Sequence, residues 1–282
     1  MRAEDIQNTK KIRKSIFLTA YSYSKGASHL ASSFSIVEIL YTLYMKNVLR
    51  YRAGEPLWPG RDFFILSKGH AGLALYSTLC MAGFFEEAEL MRYCKPGSKI
   101  GSEPKLHDLP GIEATTGSLG HGLSFGCGIA LAKKMAGADA NVYVLIGDGE
   151  SQEGSIWEAA MSAARHKLDN LTVILDQNRL QKMDTIENIM GIKDWASIWR
   201  SFGWQVTTVD GHDTEALHAA FTAPPNGSPR LVVAETVKGK GVSLMEHNVD
   251  WHYKMPLKRE LKQVLQELEI DEMELEKCRE LT

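Results

Sequence analysis

The chain has 282 residues, 44% of them hydrophobic and 24% charged, the balance of a globular protein rather than a disordered or fibrous one. Its 32 Lys and Arg against 35 Asp and Glu leave a net charge of −3, which excludes the broad basic field of a general nucleic-acid binder. Four cysteines (Cys80, Cys94, Cys127 and Cys278) lie far apart with no CxxC pair, so neither a disulfide framework nor a zinc knuckle is expected. That usage fits a reducing, cytoplasmic compartment. The charged start MRAEDIQNTKKIRK lacks the apolar core of a signal peptide, and no run reaches the roughly 18 apolar residues of a membrane span, so no membrane is expected as partner.

In chain order, helices are predicted over 3–23 and 35–45, then a turn rich in Gly and Pro over 54–62 and a strand over 63–66. A helix over 71–81 and another over 119–135 lead to a strand over 142–146. A helix over 155–166 and strands over 171–175 and 206–209 follow, then a helix over 214–222, a turn over 224–229 and a strand over 231–236. Short β-branched runs alternating with longer amphipathic ones predict an α/β, three-layer fold with a mostly parallel sheet flanked by helices. Several strands read as unbroken apolar runs, as buried parallel strands do. Neither turn is long enough for an interdomain linker, so one domain is expected over 1–282. From about 256 to 282, Leu257, Leu261, Val264, Leu265 and Leu268 recur at helical spacing among Lys and Glu. This predicts an amphipathic helix over 257–268 docked on the domain, with a partner-docking helix as the alternative.

The most informative stretch is NVYVLIGDGESQEGSIWEAAMSAARHKLDNLTVILDQNRLQ. A strand ends at Gly147-Asp148-Gly149, a helix begins near Gly154, and Asn178 follows the next strand. The 28 residues from 150 to 177 suffice for a loop, a helix and a returning strand. Two neighbouring strand ends would then bring Asp148 and Asn178 together at the carboxyl edge of the sheet, where ligands of open α/β sheets collect. A carboxylate, an amide carbonyl and a free backbone carbonyl are hard oxygen ligands, suited to Mg²⁺ (or Ca²⁺ or Mn²⁺) that keeps phosphate oxygens in its shell. Gly149 carries no Cβ to hold a phosphate away, and the helix start behind it adds N–H donors. GDG alone could be an ordinary tight turn; joined to Asn178 at this spacing it points to a site.

GDG, 28 residues and Asn resembles the thiamine diphosphate signature, and EGSIWEAA and KLDNLTVILDQNRL resemble the transketolase version of it. SKGHA (67–71), GIEATTGSLGHG (111–122) and VKGKG (237–241) followed by Trp251-His252 extend the resemblance over nearly the whole chain. It implies the diphosphate-binding domain of a transketolase. By it, Asp148, Asn178 and the carbonyl of Leu180 hold the metal, while Gly149 and Asn178 touch the diphosphate. His70 and His252 match histidines at the cofactor, and Lys68 and Lys238 match lysines near the same anion. Gly117 and Leu119 match backbone groups that meet the aminopyrimidine ring. Glu153 matches a glutamate that links paired active sites at a dimer interface. His29, His107 and His252 are the candidates for substrate contacts and proton movement; His166, His212 and His218 match nothing and read as surface or packing residues.

Three departures fall near the expected substrate channel. His29-Leu30-Ala31-Ser32-Ser33 stands where the family has a His-Pro-Gly-Gly-Ser-like stretch. His107 lies ten residues before Gly117 and precedes Asp108 rather than Pro, and His121 stands for the usual glutamine. The resemblance further implies a separate C-terminal transketolase subunit carrying the pyrimidine-binding domain, in a heterotetramer that transfers a two-carbon ketol unit from a ketose, or ketose phosphate, to an aldose. Alternatives are another thiamine diphosphate enzyme (1-deoxyxylulose-5-phosphate synthase-like or α-keto acid dehydrogenase-like), a transketolase adapted to an unusual sugar, and a non-catalytic binding subunit.

Overall fold

Apolar residues on both faces of five short strands dictate the architecture. The computed structural model describes residues 2–23 and 28–280. Strands β1 (Phe63–Leu66), β2 (Val142–Gly147), β3 (Leu171–Gln177), β4 (Gln205–Asp210) and β5 (Arg230–Glu235) form one sheet in the order β1-β2-β3-β5-β4, with every pairing parallel. Successive side chains point to opposite faces. Phe64, Leu66, Tyr143, Leu145, Ile174 and Val232 join one core, while Ile65, Val144, Ile146, Val173, Leu175 and Val233 join another.

Helices cover both faces. Against the first pack α1 (Ala3–Ser22), α2 (Leu30–Phe34), α3 (Val37–Met45), α4 (Gly72–Met81) and, after the four-residue α5 (Glu87–Leu90), residues of α10 (Thr214–Thr222). Against the second pack α6 (Gly122–Met135), α7 (Gly154–Arg165), α8 (Ile186–Met190) and α9 (Trp195–Ser201). The expected three layers are present, and β4, half exposed along its length, is an edge of the sheet.

Where the structure differs from the sequence reading, a named contact decides. The helix expected over 35–45 begins two residues later, as α3, and the short α2 over 30–34 precedes it unforeseen. Ser35 lies between them, its hydroxyl donating to the Ser32 carbonyl and to the Asp176 carboxylate. The helix expected from 119 begins only at Gly122. Gly117 and Gly120 hold φ of +131° and +84°, and a Cβ on Gly120 would lie 2.7 Å from that of Glu153. The C-terminal segment is two helices, α11 (Lys258–Glu267) and α12 (Glu272–Glu280), broken where Glu269 takes φ +53°. Val264, Leu268, Ile270 and Leu275 are buried in the first core, so this segment packs against it. Lys14 of α1 fastens it, through the Glu269 carbonyl at 3.0 Å and the Glu274 carboxylate at 2.5 Å. Residues 281 and 282 of the expected segment lie outside the described residues. No helix among the described residues is long and apolar enough to cross a membrane.

Candidate cofactor and metal site

Parallel register sets the site. Gly147 of β2 pairs with Asp176 of β3, so the next residues, Asp148 and Gln177–Asn178, leave the same carboxyl edge side by side. The Asp148 carboxylate is buried and accepts from the Gly149 and Arg179 amides at 2.8 and 2.5 Å. Burial first, and then the nearby Asp176 charge, push its pKa up to about 7. Asn178 donates to Asp176 at 2.8 Å, while its carbonyl oxygen accepts from the Leu180 amide at 3.1 Å.

Asp176 is the hub that sequence reading passed over. It is fully buried and accepts from Lys68 (2.5 Å), Ser35 (2.8 Å), Asn178 and Thr236. Burial would raise its pKa, but the Lys68 charge and these donors hold it below the usual carboxylate range. Lys68, expected at the anion, is thus committed to a carboxylate and to the Ser32 carbonyl. Its positive charge offsets Asp176 and also acts on His70, Asp148 and Lys238 nearby. Glu150 was also missed. It folds back within a 3₁₀ turn, Glu150–Gln152, to accept from Ser67 Oγ and from the Gly120 and Gly147 amides. That turn separates Gly149 from the start of α7. An aspartate or glutamate inside an ordinary strand or turn gives no sequence sign of such convergence.

Three predicted histidines meet. The His29 ring lies 5.0 Å from those of His70 and His252, which are 6.0 Å apart, and Tyr253 lies 4.6 Å from His29. The His252 carbonyl accepts from His29 Nδ1 at 3.0 Å, leaving His29 Nε2 as a bare acceptor. The Lys238 ammonium donates to His252 Nδ1 at 3.0 Å, so His252 carries its proton on Nε2 and presents a donor. Burial, then neighbouring lysines, lowers the pKa of His252 to about 3. Burial also outweighs the His252 carbonyl and brings His29 to about 4, and it holds His70 well below its ordinary value. All three are neutral at physiological pH.

Lys238 is buried, and its ammonium also donates to the Leu180 and Gln181 carbonyls, each at 3.3 Å. Burial and Lys68 lower its pKa to about 8. Two predicted residues stand apart. His107 is exposed at φ +70°, outside the ring contacts that join the other three histidines. Glu153 is exposed at the N-cap of α7. His212, read as surface or packing, is half-buried and hydrogen-bonded through Nδ1 to the buried Glu38 carboxylate.

Residues 9–278 match the family described as Transketolase, thiamine diphosphate binding domain. The chain belongs to the transketolase family. It is 39% identical over 271 residues to an apulose-4-phosphate transketolase subunit of Phocaeicola vulgatus, covering 95% of both chains. It is also 39% identical to the 6-deoxy-6-sulfo-D-fructose transketolase subunit SqwG of a Clostridium species, over 80% of this chain and 83% of that one. The crystal structure of transketolase from Campylobacter jejuni superposes with a TM-score of 0.86 at 26% identity, covering all of this chain and 47% of that one. The chain thus spans less than half the length of that transketolase. Family and fold are those the motifs implied.

The residues present suit the transketolase cofactor. Gly149 would, with a Cβ, come within 3.2 Å of Gln181, and Gly117 at φ +131° would place one 2.7 Å from the Glu103 carboxylate. A Cβ on Gly69 would lie 2.6 Å from the Gly117 amide, so the SKGHA and TTG turns interlock backbone against backbone. Thr116 Oγ1 and Gln181 Nε2 are buried without a hydrogen-bond partner among the described residues. Both belong to segments that the motifs assign to cofactor contact, and unspent buried groups of this kind suit a polar ligand. The metal donors would be one carboxylate, one amide and one carbonyl. No cluster of three or more His, Cys, Asp or Glu competes with them among the described residues. Such a set leaves coordination positions for phosphate oxygens.

Proposed function

We propose that this chain is the diphosphate-binding subunit of a split transketolase, a transferase of two-carbon ketol units that acts only with a partner. The observation that carries the reading is the meeting of Asp148, Asn178 and Leu180 at one sheet edge beside three neutral histidines. Asp148, Asn178 and the Leu180 carbonyl would hold Mg²⁺. His70, Lys238, Gly149 and Asn178 would hold the diphosphate, and the backbone at Gly117 and Leu119 would meet the pyrimidine. Binding the metal would take Leu180's carbonyl from the Lys238 ammonium, freeing that charge for the anion.

Thiamine diphosphate, when bound, supplies the electron sink that lets a C–C bond beside a ketone carbonyl break. The chain's own residues supply orientation and proton movement. His29 Nε2 accepts from a substrate hydroxyl, and His252 Nε2–H donates to an oxygen of the same substrate. Because both rings are neutral, neither places a full charge beside the reacting carbon. His107 would join them only at the mouth of the channel. Glu153, exposed at the start of α7, faces outward as a residue shared between subunits would.

Several observations support a partner. Relatives matched over four-fifths or more of both chains are named as subunits. Phe125 and Met135 on α6, Met161 on α7 and Met190 on α8 expose large apolar side chains. A pyrimidine-binding subunit in a heterotetramer is the partner these features suit. The substrates of the named relatives are anionic sugars, and we take an anionic ketose as donor here. The test is ketol transfer by the chain alone, by its pyrimidine-binding partner alone, and by the two together with Mg²⁺ and thiamine diphosphate. Transfer by the mixture only is expected; transfer by this chain alone would overturn the split.

A further inference from the structure

The loop that carries Lys238 is held from behind by a buried chain of three side chains. Arg13 of α1 grips the Glu38 carboxylate of α3 with both terminal nitrogens, each at 2.7 Å, and donates to the Phe34 carbonyl at 3.2 Å. His212, in the turn between β4 and α10, meets Glu38 Oε2, one of the two oxygens Arg13 holds, through Nδ1 at 2.8 Å. Its Nε2 accepts from the Val237 amide at 2.8 Å. An amide can only donate, so the tautomer is fixed: His212 carries its proton on Nδ1 and gives it to Glu38. Burial would raise the pKa of Glu38, but Arg13 and His212 hold it down to about 2, so the acceptor is a full carboxylate.

The same chain touches the loop a second time. Gly241 sits at φ +93°, and a Cβ there would lie 2.9 Å from Arg13 Cδ. Arg13 and His212 therefore fix both ends of 237–241, with Lys238 between them and the Gly239 amide donating to the Ala31 carbonyl at 2.9 Å. A buried ion pair adds little net stability compared with apolar residues of the same size. What it adds here is direction, since the carboxylate orients the imidazole and the imidazole orients one amide.

We propose that His212 is a positioning residue: through Glu38 and Arg13 it locks the loop bearing Lys238 and so sets the affinity for thiamine diphosphate. This rests on the assignment of Lys238 to the diphosphate. Four variants, each assembled with the pyrimidine-binding partner, are titrated calorimetrically with thiamine diphosphate and Mg²⁺, and amide exchange is followed over 237–241.

His212→Asn keeps a donor within reach of Glu38 but is too short to accept from Val237. It should weaken binding about tenfold, equivalent to about 1.4 kcal/mol, and speed exchange at 237–241 even without cofactor. His212→Gln restores an acceptor at that reach and should bind within about twofold of wild type. Thr214→Val removes a buried hydrogen bond to Asp5 two residues away, lowering Tm without touching the loop, and should leave affinity unchanged. Wild-type affinity in His212→Asn, or equal loss in Thr214→Val, overturns the proposal while leaving the site reading intact. Wild-type affinity in Lys238→Ala overturns the site reading and the proposal with it.

Discussion

Asp148→Asn separates what the site does for stability from what it does for binding. In the cofactor-free chain the Asp148 carboxylate is buried beside Asp176, and its pKa rises from 3.8 to about 7. For an acid whose folded value lies above its unfolded one, the folded chain keeps a proton that the unfolded chain gives up between those values. Stability is therefore full below about pH 4 and falls as pH rises through about 7. A rise of about 3 in pKa, at about 1.4 kcal/mol each, sets a ceiling of about 4 kcal/mol. Relaxation and water entry reduce this, and about 2 kcal/mol is the expected loss at pH 8. Asparagine resembles the protonated acid, with one oxygen to accept from the Gly149 or Arg179 amide. The variant, kept in chelator, should thus melt at the wild-type temperature at pH 4.5. At pH 8 it should melt roughly 4–8 °C higher, taking about 2–4 °C per kcal/mol for a chain of this size. Thermal melts by circular dichroism at the two pH values measure this directly. A variant less stable than wild type by the same margin at both would refute the reasoning.

Other outcomes follow from the same contacts. Lys68→Met leaves Asp176 buried without its cation and should cost about 3–5 kcal/mol in urea denaturation. If the cost is under 1 kcal/mol, the pair is not the anchor described here. His29→Gln should leave the dissociation constant for thiamine diphosphate nearly unchanged and lower kcat of the assembled enzyme by about 10² or more; an equal loss in affinity would place His29 at the cofactor instead. Gly117→Ala meets both positive φ and the Glu103 carboxylate, and should weaken cofactor binding at least tenfold in an isothermal titration. Binding at wild-type strength would remove Gly117 from the site.

Most of the sheet was legible because its inner strands are apolar runs rich in β-branched residues, and the strand over 63–66 and the helix over 214–222 fall on the observed boundaries. The edge that brings Asp148 and Asn178 together was legible because GDG and Asn178 leave adjacent parallel strands, which the interval between them is long enough to allow. What escaped depends on distance in sequence. Asp176 is an ordinary strand residue until Lys68, Ser35 and Thr236 converge on it from three other segments. His212 likewise reads as a loop histidine until α1 and α3 bring Arg13 and Glu38 beneath it. Helices α8 and α9 were missed because each is seven residues or fewer, too short to show a period. Their starts are nonetheless capped by Thr185 and Asp194, side chains that accept from the third residue on.

The central claim is that Asp148, Asn178 and Leu180 hold the metal that binds the diphosphate. Its most direct measurement is the anomalous scattering of Mn²⁺ in crystals of this chain assembled with its pyrimidine-binding partner and soaked with thiamine diphosphate. The account predicts one peak per copy of this chain, bonded to the Asp148 carboxylate, the Asn178 side-chain oxygen and the Leu180 carbonyl. A peak away from those three groups, or cofactor density with none beside it, would contradict it.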